Sequence, residues 1–348
     1  MSPFYSIPIQ KIVKETSNAV SITFEVPEDL KATFSFEAGQ YVTIKSTVDG
    51  KELRRAYSIC SSPKSGVLKI AVKAIENGTF SVYANTRLKA GDMVEVTWPE
   101  GRFILNSEAN SDYIAFAAGS GITPIMSMIK EVLENDNGAT FTLVYGNKTA
   151  ADTIFKGSLD HLHGEFSNRF NLHYVYSREH IANSKHGRID DRIVMYYIKN
   201  IYKETSFKRA FLCGPGEMIH TVSEALKTCG FDEHMILSEW FSASLEKENN
   251  DQIKEGLTEI TVLLDDDETS FTMNQADTIL AASLRKGIDP PYSCEGGICS
   301  SCIAKVTEGK AIMDKNTVLT DREVKEGFIL TCQAHPTTSK IKVDFDDI

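Results

Sequence analysis

The sequence has no apolar run near the roughly 20 residues that a membrane-crossing helix needs. It also has no surplus of positive charge: 37 Lys and Arg stand against 48 Asp and Glu, a formal net charge of −11. The first lack sets aside a spanning helix. The second sets aside nucleic-acid binding, because nothing supplies the basic stripe that phosphates require. The N-terminus, MSPFYSIPIQKIVKET, lacks a basic segment followed by an apolar one, so no secretory signal is expected and cytoplasmic residence is the default. There is no internal repeat. No Gly-x-Ser-x-Gly element or histidine–carboxylate set suggests hydrolysis. The Asp265–Glu268 run lacks the pattern of a calcium-binding EF-hand loop and reads as a solvated hairpin turn. His161-x-His163 has no third ligand placed to join it and reads as a surface loop.

What is present suggests several domains. The 348 residues are 42% hydrophobic, enough apolar material for two or three cores at roughly 100–200 residues per domain. Residues 1–106 read as many short strands, among them YVTIKSTV, LKIAVKAI and DMVEVTWP, punctuated by turn residues such as Asp49-Gly50 and Asn77-Gly78. Even spacing of this kind predicts a small antiparallel β-barrel. From residue 107 to 242 strands alternate with helical segments, as in YIAFAAGSGITPIMSMIKEVLEN, which predicts an α/β domain with a parallel sheet. Residues 243–257, charged and nearly without apolar side chains, read as a linker. Residues 258–348 open on a hairpin pattern and a short helix, and carry 16 acidic against 9 basic side chains.

Four of the seven cysteines crowd this last region. Cys294-x4-Cys299-x2-Cys302 is followed, after 29 intervening residues, by Cys332 in ILTCQAHP, the plant-type spacing for a [2Fe–2S] cluster. Two irons sit close together and each needs two thiolates. A tight loop can wrap one side while a distant strand brings the fourth ligand. Gly296 and Gly297 would let the loop fold sharply and turn N–H groups toward sulfur, and Ser300 and Ser301 are small donor-bearing neighbours. Zinc is the rival, although structural zinc sites usually pair their cysteines in two short hairpins. Cys60, Cys213 and Cys229 read as small buried hydrophobes.

The first 242 residues contain four further patterns. Arg55-x-Tyr57-Ser58 offers a guanidinium fork suited to a diphosphate, a flat ring and a hydroxyl, though the stretch also reads as an ordinary exposed strand. Gly78-x-x-Ser81 opens a helical segment whose free N–H groups suit an anion. Gly119-x-Gly121 follows a strand and opens a helix, with Pro124 where a dinucleotide fingerprint would place its third glycine; Pro124 suits a first helical position. Ser177-Arg178 ends a strand and would suit a ribose 2′-phosphate, unless it is a surface turn with an incidental arginine.

Residues 258–348 resemble the plant-type ferredoxin family, from PPYSCEGGICSSC to TCQAHP, which implies an α+β, β-grasp fold with Cys294, Cys299, Cys302 and Cys332 holding the cluster. The region before them resembles the ferredoxin–NADP reductase superfamily. That resemblance implies that Arg55 contacts the FAD pyrophosphate together with the Gly78–Ser81 turn. Tyr57 would pack on the isoalloxazine, Ser58 would lie near its N5, and Val72 and Lys73 would line the ribityl and phosphate path. Gly119, Gly121, Thr123 and Pro124 resemble the family's GxGxTP pattern at the nicotinamide–flavin junction, with Thr123 toward the nicotinamide. Cys213-Gly214 with Met218 resembles the last wall of that pocket, and SEWF places Glu239 and Phe241 where an acid and an aromatic adjoin the flavin. Ser177-Arg178 resembles the pair found in NADP-using members, which favours NADPH over NADH.

The domain order resembles the reductase components of bacterial multicomponent oxygenases. It implies an NAD(P)H-dependent oxidoreductase passing electrons from NADPH to FAD, then to a cluster at about −400 mV, then to a diiron or Rieske oxygenase. A non-catalytic redox-sensing module is the alternative of another class. The acidic tail domain would steer toward a basic patch on the acceptor, an effect that weakens as salt rises.

Overall fold

The computed structural model describes residues 4–135, 137–241 and 256–348, which form two compact units, 4–241 and 256–348. The expected linker lies outside the described residues except for Gly256 and Leu257. Among the described residues no helix is long and apolar enough to cross a membrane.

The first unit begins with strands β1 (Tyr5–Thr16), β2 (Ala19–Phe24), β3 (Tyr41–Val48), β4 (Lys51–Ser58) and β5 (Lys69–Lys73), then helix α1 (Thr79–Thr86) and β6 (Met93–Val96). All pairings are antiparallel, in the order β4-β3-β6-β1-β2-β5. A bridge from Ile59, just past β4, to Ile70 in β5 joins the two edges and closes the barrel. Val42, Ile44, Ile70, Val72 and Val96 fill its interior, and Phe80 and Ala84, one turn apart on α1, drop into the same core.

The chain then forms β7 (Asp112–Ala118), α2 (Ile122–Glu134), β8 (Thr140–Asn147), α3 (Lys156–Glu165), β9 (Phe170–Tyr176), β10 (Lys185–His186), α4 (Asp191–Tyr196), β11 (Phe207–Gly214), α5 (Gly216–Thr228) and β12 (Ile236–Trp240). The sheet is wholly parallel, ordered β10-β9-β8-β7-β11-β12. Its central strands are apolar on both faces, because α2 and α3 cover one side and α4 and α5 the other. The chain runs outward from β7 to β10 and returns at β11. The strand order therefore switches between β7 and β11, where open α/β sheets form their binding crevice. The core under α2 continues into barrel residues Ala38, Cys60, Phe103 and Leu105. Ser127 Oγ donates to the Ser61 carbonyl at 2.7 Å, and the Ser62 hydroxyl donates to the Glu134 carboxylate, so barrel and sheet are one body.

His161 and His163 lie on helix α3 rather than on the expected surface loop. Spaced by two, they point to different sides of a helix. His163 Nδ1 sits 2.8 Å from the Phe170 carbonyl and His161 faces Glu165 at 3.6 Å.

The second unit comprises β13 (Leu257–Leu264), β14 (Asp267–Asn274), α6 (Ile279–Arg285), β15 (Ile303–Glu308), β16 (Ala311–Met313), α7 (Asp321–Lys325), β17 (Phe328–Leu330), β18 (Ala334–Pro336) and β19 (Lys340–Asp344). The mixed sheet β14-β13-β19-β15-β17 packs on α6 through Ile260, Val262, Ile279, Ala282, Ile341 and Val343. The acidic run is the hairpin turn of β13–β14: Asp265 and Asp266 take left-handed conformations, and both amides donate to the Asp346 carboxylate at 2.9 Å.

Candidate redox centres

In the second unit, the loop between α6 and β15 carries Cys294, Cys299 and Cys302, and the end of β17 leads into Cys332. The Cys294 sulfur is within hydrogen-bonding reach of those of Cys299 and Cys332, and the Cys302 sulfur is within reach of that of Cys332. Cys299, Cys302 and Cys332 are buried and Cys294 is half-buried. The loop turns on two left-handed residues, Glu295 (φ 53°) and Gly297 (φ 68°), not on Gly296. At Gly297 a Cβ would stand 2.9 Å from both the Lys315 carbonyl oxygen and Gln333 Cγ, so glycine is required for space as well as for conformation. Gly296 instead donates its N–H to the Cys294 sulfur at 3.4 Å. Ile298 N–H donates to the same sulfur and Ser301 N–H to that of Cys299. The loop is tied to its surroundings by Thr317 Oγ1 on the Gly297 carbonyl (2.8 Å), Gln333 Nε2 on that of Glu295 (3.1 Å) and Thr331 Oγ1 on that of Cys302 (3.0 Å). Four thiols joined in the chain Cys299–Cys294–Cys332–Cys302 and met by amide donors fit a group that carries negative charge on sulfur.

In the first unit, β4 runs beside β3 and places Arg55 and Tyr57 on one of its faces and Ser58 on the other. The Tyr57 ring lies 5.6 Å from that of Phe80 on α1, and burial raises its phenol pKa, only partly offset by Arg55. Gly78 caps α1, and Ser81 Oγ accepts from the Ile75 amide at 3.3 Å. Asn85, near the end of α1, donates to the Val72 carbonyl at 3.0 Å, so the helix is tied along its length to the end of β5. Helix starts leave their first amides without intrahelical partners, which suits a diphosphate there.

Across β7, β11 and β12 the register aligns Ala117, Cys213 and Glu239 at the carboxyl ends. Glu239 reaches back to the barrel, where Ser58 Oγ donates to its carboxylate at 3.1 Å. Burial pushes the Glu239 carboxyl up to about 8, against the lowering effect of that hydrogen bond. Burial and the adjoining Glu239 raise the Cys213 thiol well above its ordinary value. Both shifts favour the neutral form of the group. The Gly119–Gly121 turn packs directly on this row: a Cβ on Gly121 would overlap the Cys213 carbonyl. Thr123, buried, donates its hydroxyl to the Ser120 carbonyl at 3.1 Å, within the turn itself. Pro124 is the third residue of α2 rather than the first, a position that still forfeits no helical hydrogen bond.

A cavity of about 580 Å³ opens beside this row. It brings together Gly119, Ser177, Arg178, Gly214, Met218 and Phe241, all singled out from the sequence. Lys73 belongs to its wall as well, its ammonium disfavoured by burial and supported by Asp152. Sequence reasoning missed Lys148, Arg188, Asp190 and Thr221, which no short pattern marks, and gave Asn147 no role. The Asn147 amide nitrogen is buried, with the Tyr145 hydroxyl as its neighbour. A cleft with two arginines, two lysines and a turn that excludes a Cβ fits a dinucleotide with its phosphates.

This combination defines an iron–sulfur flavoprotein reductase: a barrel for a flavin, a parallel sheet for a nicotinamide dinucleotide and a thiolate loop for a cluster. Comparison with known proteins agrees domain by domain. Residues 6–104 match the oxidoreductase FAD-binding domain, 116–224 the oxidoreductase NAD-binding domain and 262–337 the 2Fe-2S iron-sulfur cluster binding domain. The last match decides between a cluster and zinc. The chain is 38% identical over 351 residues to one of the subunits of the 1,2-phenylacetyl-CoA epoxidase of Escherichia coli (strain K12), covering 99% of each. It is 31% identical over 350 residues to the ferredoxin reductase component of 3-ketosteroid-9-alpha-monooxygenase of Rhodococcus rhodochrous, covering 97% of this chain and 96% of that one. Among solved structures, phthalate dioxygenase reductase superposes with a TM-score of 0.62 at 25% identity over 98% of both chains. The chain belongs to this family of oxygenase reductases, oxidoreductases with FAD-, NAD- and [2Fe–2S]-binding domains on one polypeptide.

Proposed function

We propose that the protein takes electron pairs from NADPH and delivers them one at a time to an oxygenase, and that this oxygenase is a phenylacetyl-CoA epoxidase in phenylacetate catabolism. The row Ser58–Glu239–Cys213 carries the first half of the reading, because it joins the barrel to the mouth of the dinucleotide cavity with groups whose neutral form burial favours. When bound, the FAD accepts a pair of electrons and releases them singly to the [2Fe–2S] group. The chain supplies the positions. Arg55 and the Gly78–Ser81 turn grip the flavin diphosphate, Tyr57 backs the ring, and Ser58 with Glu239 faces its reacting edge. Gly119, Gly121 and Gly214 let the dinucleotide approach the backbone closely, with Thr123, Pro124, Met218 and Phe241 shaping the nicotinamide pocket. Ser177 and Arg178 favour the 2′-phosphate of NADPH, and Arg188 adds a second guanidinium to the same cavity. Cys294, Cys299, Cys302 and Cys332 hold the irons. We assign residues 1–106 to the flavin domain, 107–242 to the nucleotide domain, 243–257 to a linker and 258–348 to the cluster domain.

The acceptor reading rests on the 38% identical relative. Its test is reconstitution of the holoprotein with purified oxygenase components. NADPH-dependent oxygenation of phenylacetyl-CoA with the epoxidase component is expected. Turnover with a Rieske oxygenase component and none with the epoxidase would replace this acceptor with a Rieske enzyme.

A further inference from the structure

A second cavity, of about 430 Å³, lies away from the carboxyl-end crevice, around the start of β11. Its walls come from the segment after α4, from Phe207 at the first position of β11, and from the turn after α5. Helix α4 continues into a π turn over Tyr197–Ile201, closed by the Tyr202 amide on the Tyr197 carbonyl at 2.8 Å. Such single wide turns are uncommon and recur at functional sites. Here the turn and the residue after it set Lys199 and Tyr202 on the same wall. Tyr202 is held in place by its hydroxyl, 2.6 Å from His173 Nε2.

The lining is chemically one-sided. Tyr202, Phe207 and Phe231 contribute aromatic rings to the lining, and the exposed Lys199 and Lys203 line it as well. Among the described residues no Asp or Glu lines the cavity, in a chain of net charge −11. Lys203 faces Glu204 at 3.6 Å, while Lys199 makes no ion pair with a described residue. Its electrostatic neighbour is the half-buried thiol of Cys229, which also lines the cavity. An ammonium with no ion pair among the described residues, sharing a cavity with three aromatic rings in a volume typical of small-ligand sites, matches a planar ring that carries one carboxylate. The ring would stack on the aromatic walls while the carboxylate takes the lysine.

We propose that this cavity is a second binding site, for a small aromatic monocarboxylate, distinct from the dinucleotide cleft. Cys229 is a built-in reporter, since an occupant must cover it. Cys60 and Cys213 are fully buried and the remaining four thiols are the proposed cluster ligands.

The experiment uses the holoprotein under anaerobic conditions. Alkylation of Cys229 by N-ethylmaleimide is timed by peptide mass spectrometry with benzoate, with acetate at matched ionic strength, or with neither. Saturable protection by benzoate is expected, reaching about tenfold when benzoate is at ten times its dissociation constant, with none from acetate. In Lys199→Met the ratio of rates with and without benzoate should fall toward one, and Lys203→Met should weaken protection less. An alkylation rate unchanged by benzoate overturns the proposal. So does equal protection by acetate, which would mean screening alone. Protection retained in both lysine variants would overturn the carboxylate–ammonium assignment.

Discussion

The thiolate loop and the dinucleotide crevice solve the same problem, holding a redox group, by opposite means. The loop gathers three of its four proposed ligands within nine residues and takes the fourth from just beyond the strand that pairs with the loop's own exit strand, β17 against β15. Its geometry is enforced locally, by left-handed Glu295 and Gly297 and by hydrogen bonds from Thr317, Gln333 and Thr331. The crevice collects residues from Lys73 to Phe241, and each arrives because a parallel strand ends at the same level as its neighbours. A local site depends on each ligand absolutely. A site assembled by topology divides its work, so losing one member degrades a single property.

The sharpest consequence concerns Cys332. In Cys332→Ser the cluster should fail to assemble, and NADPH-driven reduction of a one-electron protein acceptor such as cytochrome c should fall to the level of cluster-free protein. Reduction of ferricyanide, which can draw on the flavin, should stay within about twofold, because no crevice residue is touched. Loss of both activities together would show that the two sites are not separable in this way.

Arg178 tests the other side of the contrast. A guanidinium on a phosphate contributes about 1.5–3 kcal/mol, so Arg178→Ala should raise the dissociation constant of NADPH about 10- to 150-fold while that of NADH changes little. Steady-state titration with both nucleotides measures this. An equal loss for the two would move Arg178 from the 2′-phosphate to the shared part of the dinucleotide.

The same division explains how far the sequence could be read. Cysteine spacing survives translation into structure because a tight loop has few ways to wrap two irons. Gly119-x-Gly121 and Cys213-Gly214 were readable because a close approach of backbones demands small residues at fixed offsets, and the structure shows Gly121 against the Cys213 carbonyl. Arg188, Asp190 and Thr221 were invisible, since what brings them to the cavity is the strand order, and no offset along the chain encodes it. Lys73, which the resemblance places with Val72 along the ribityl and phosphate path of the flavin, also stands in the wall of the crevice cavity, because β5 ends against the Gly119 turn. The alternating HLH of residues 161–163 gave no helical signal, since its histidines do not repeat every three or four residues, and the covering helix α3 went unread there.

Glu239 belongs wholly to the assembled site, and its effect should be the smallest. Its carboxyl is pushed up to about 8 by burial, so it is neutral below that pH and ionised above it. The ionised form places a negative charge beside Ser58 and Cys213, where flavin reduction adds electron density, and so opposes the step. The rate of flavin bleaching by NADPH, followed by stopped flow, should be level up to about pH 8 and then fall about fivefold, equivalent to ~1 kcal/mol. Glu239→Gln cannot ionise and should keep the low-pH rate throughout. Ser58→Ala removes a hydrogen bond that favours the ionised form, so the fall should move to higher pH rather than vanish. A profile that falls at the same pH in wild type and Glu239→Gln would assign the ionisation to a different group and leave Glu239 with a packing role only.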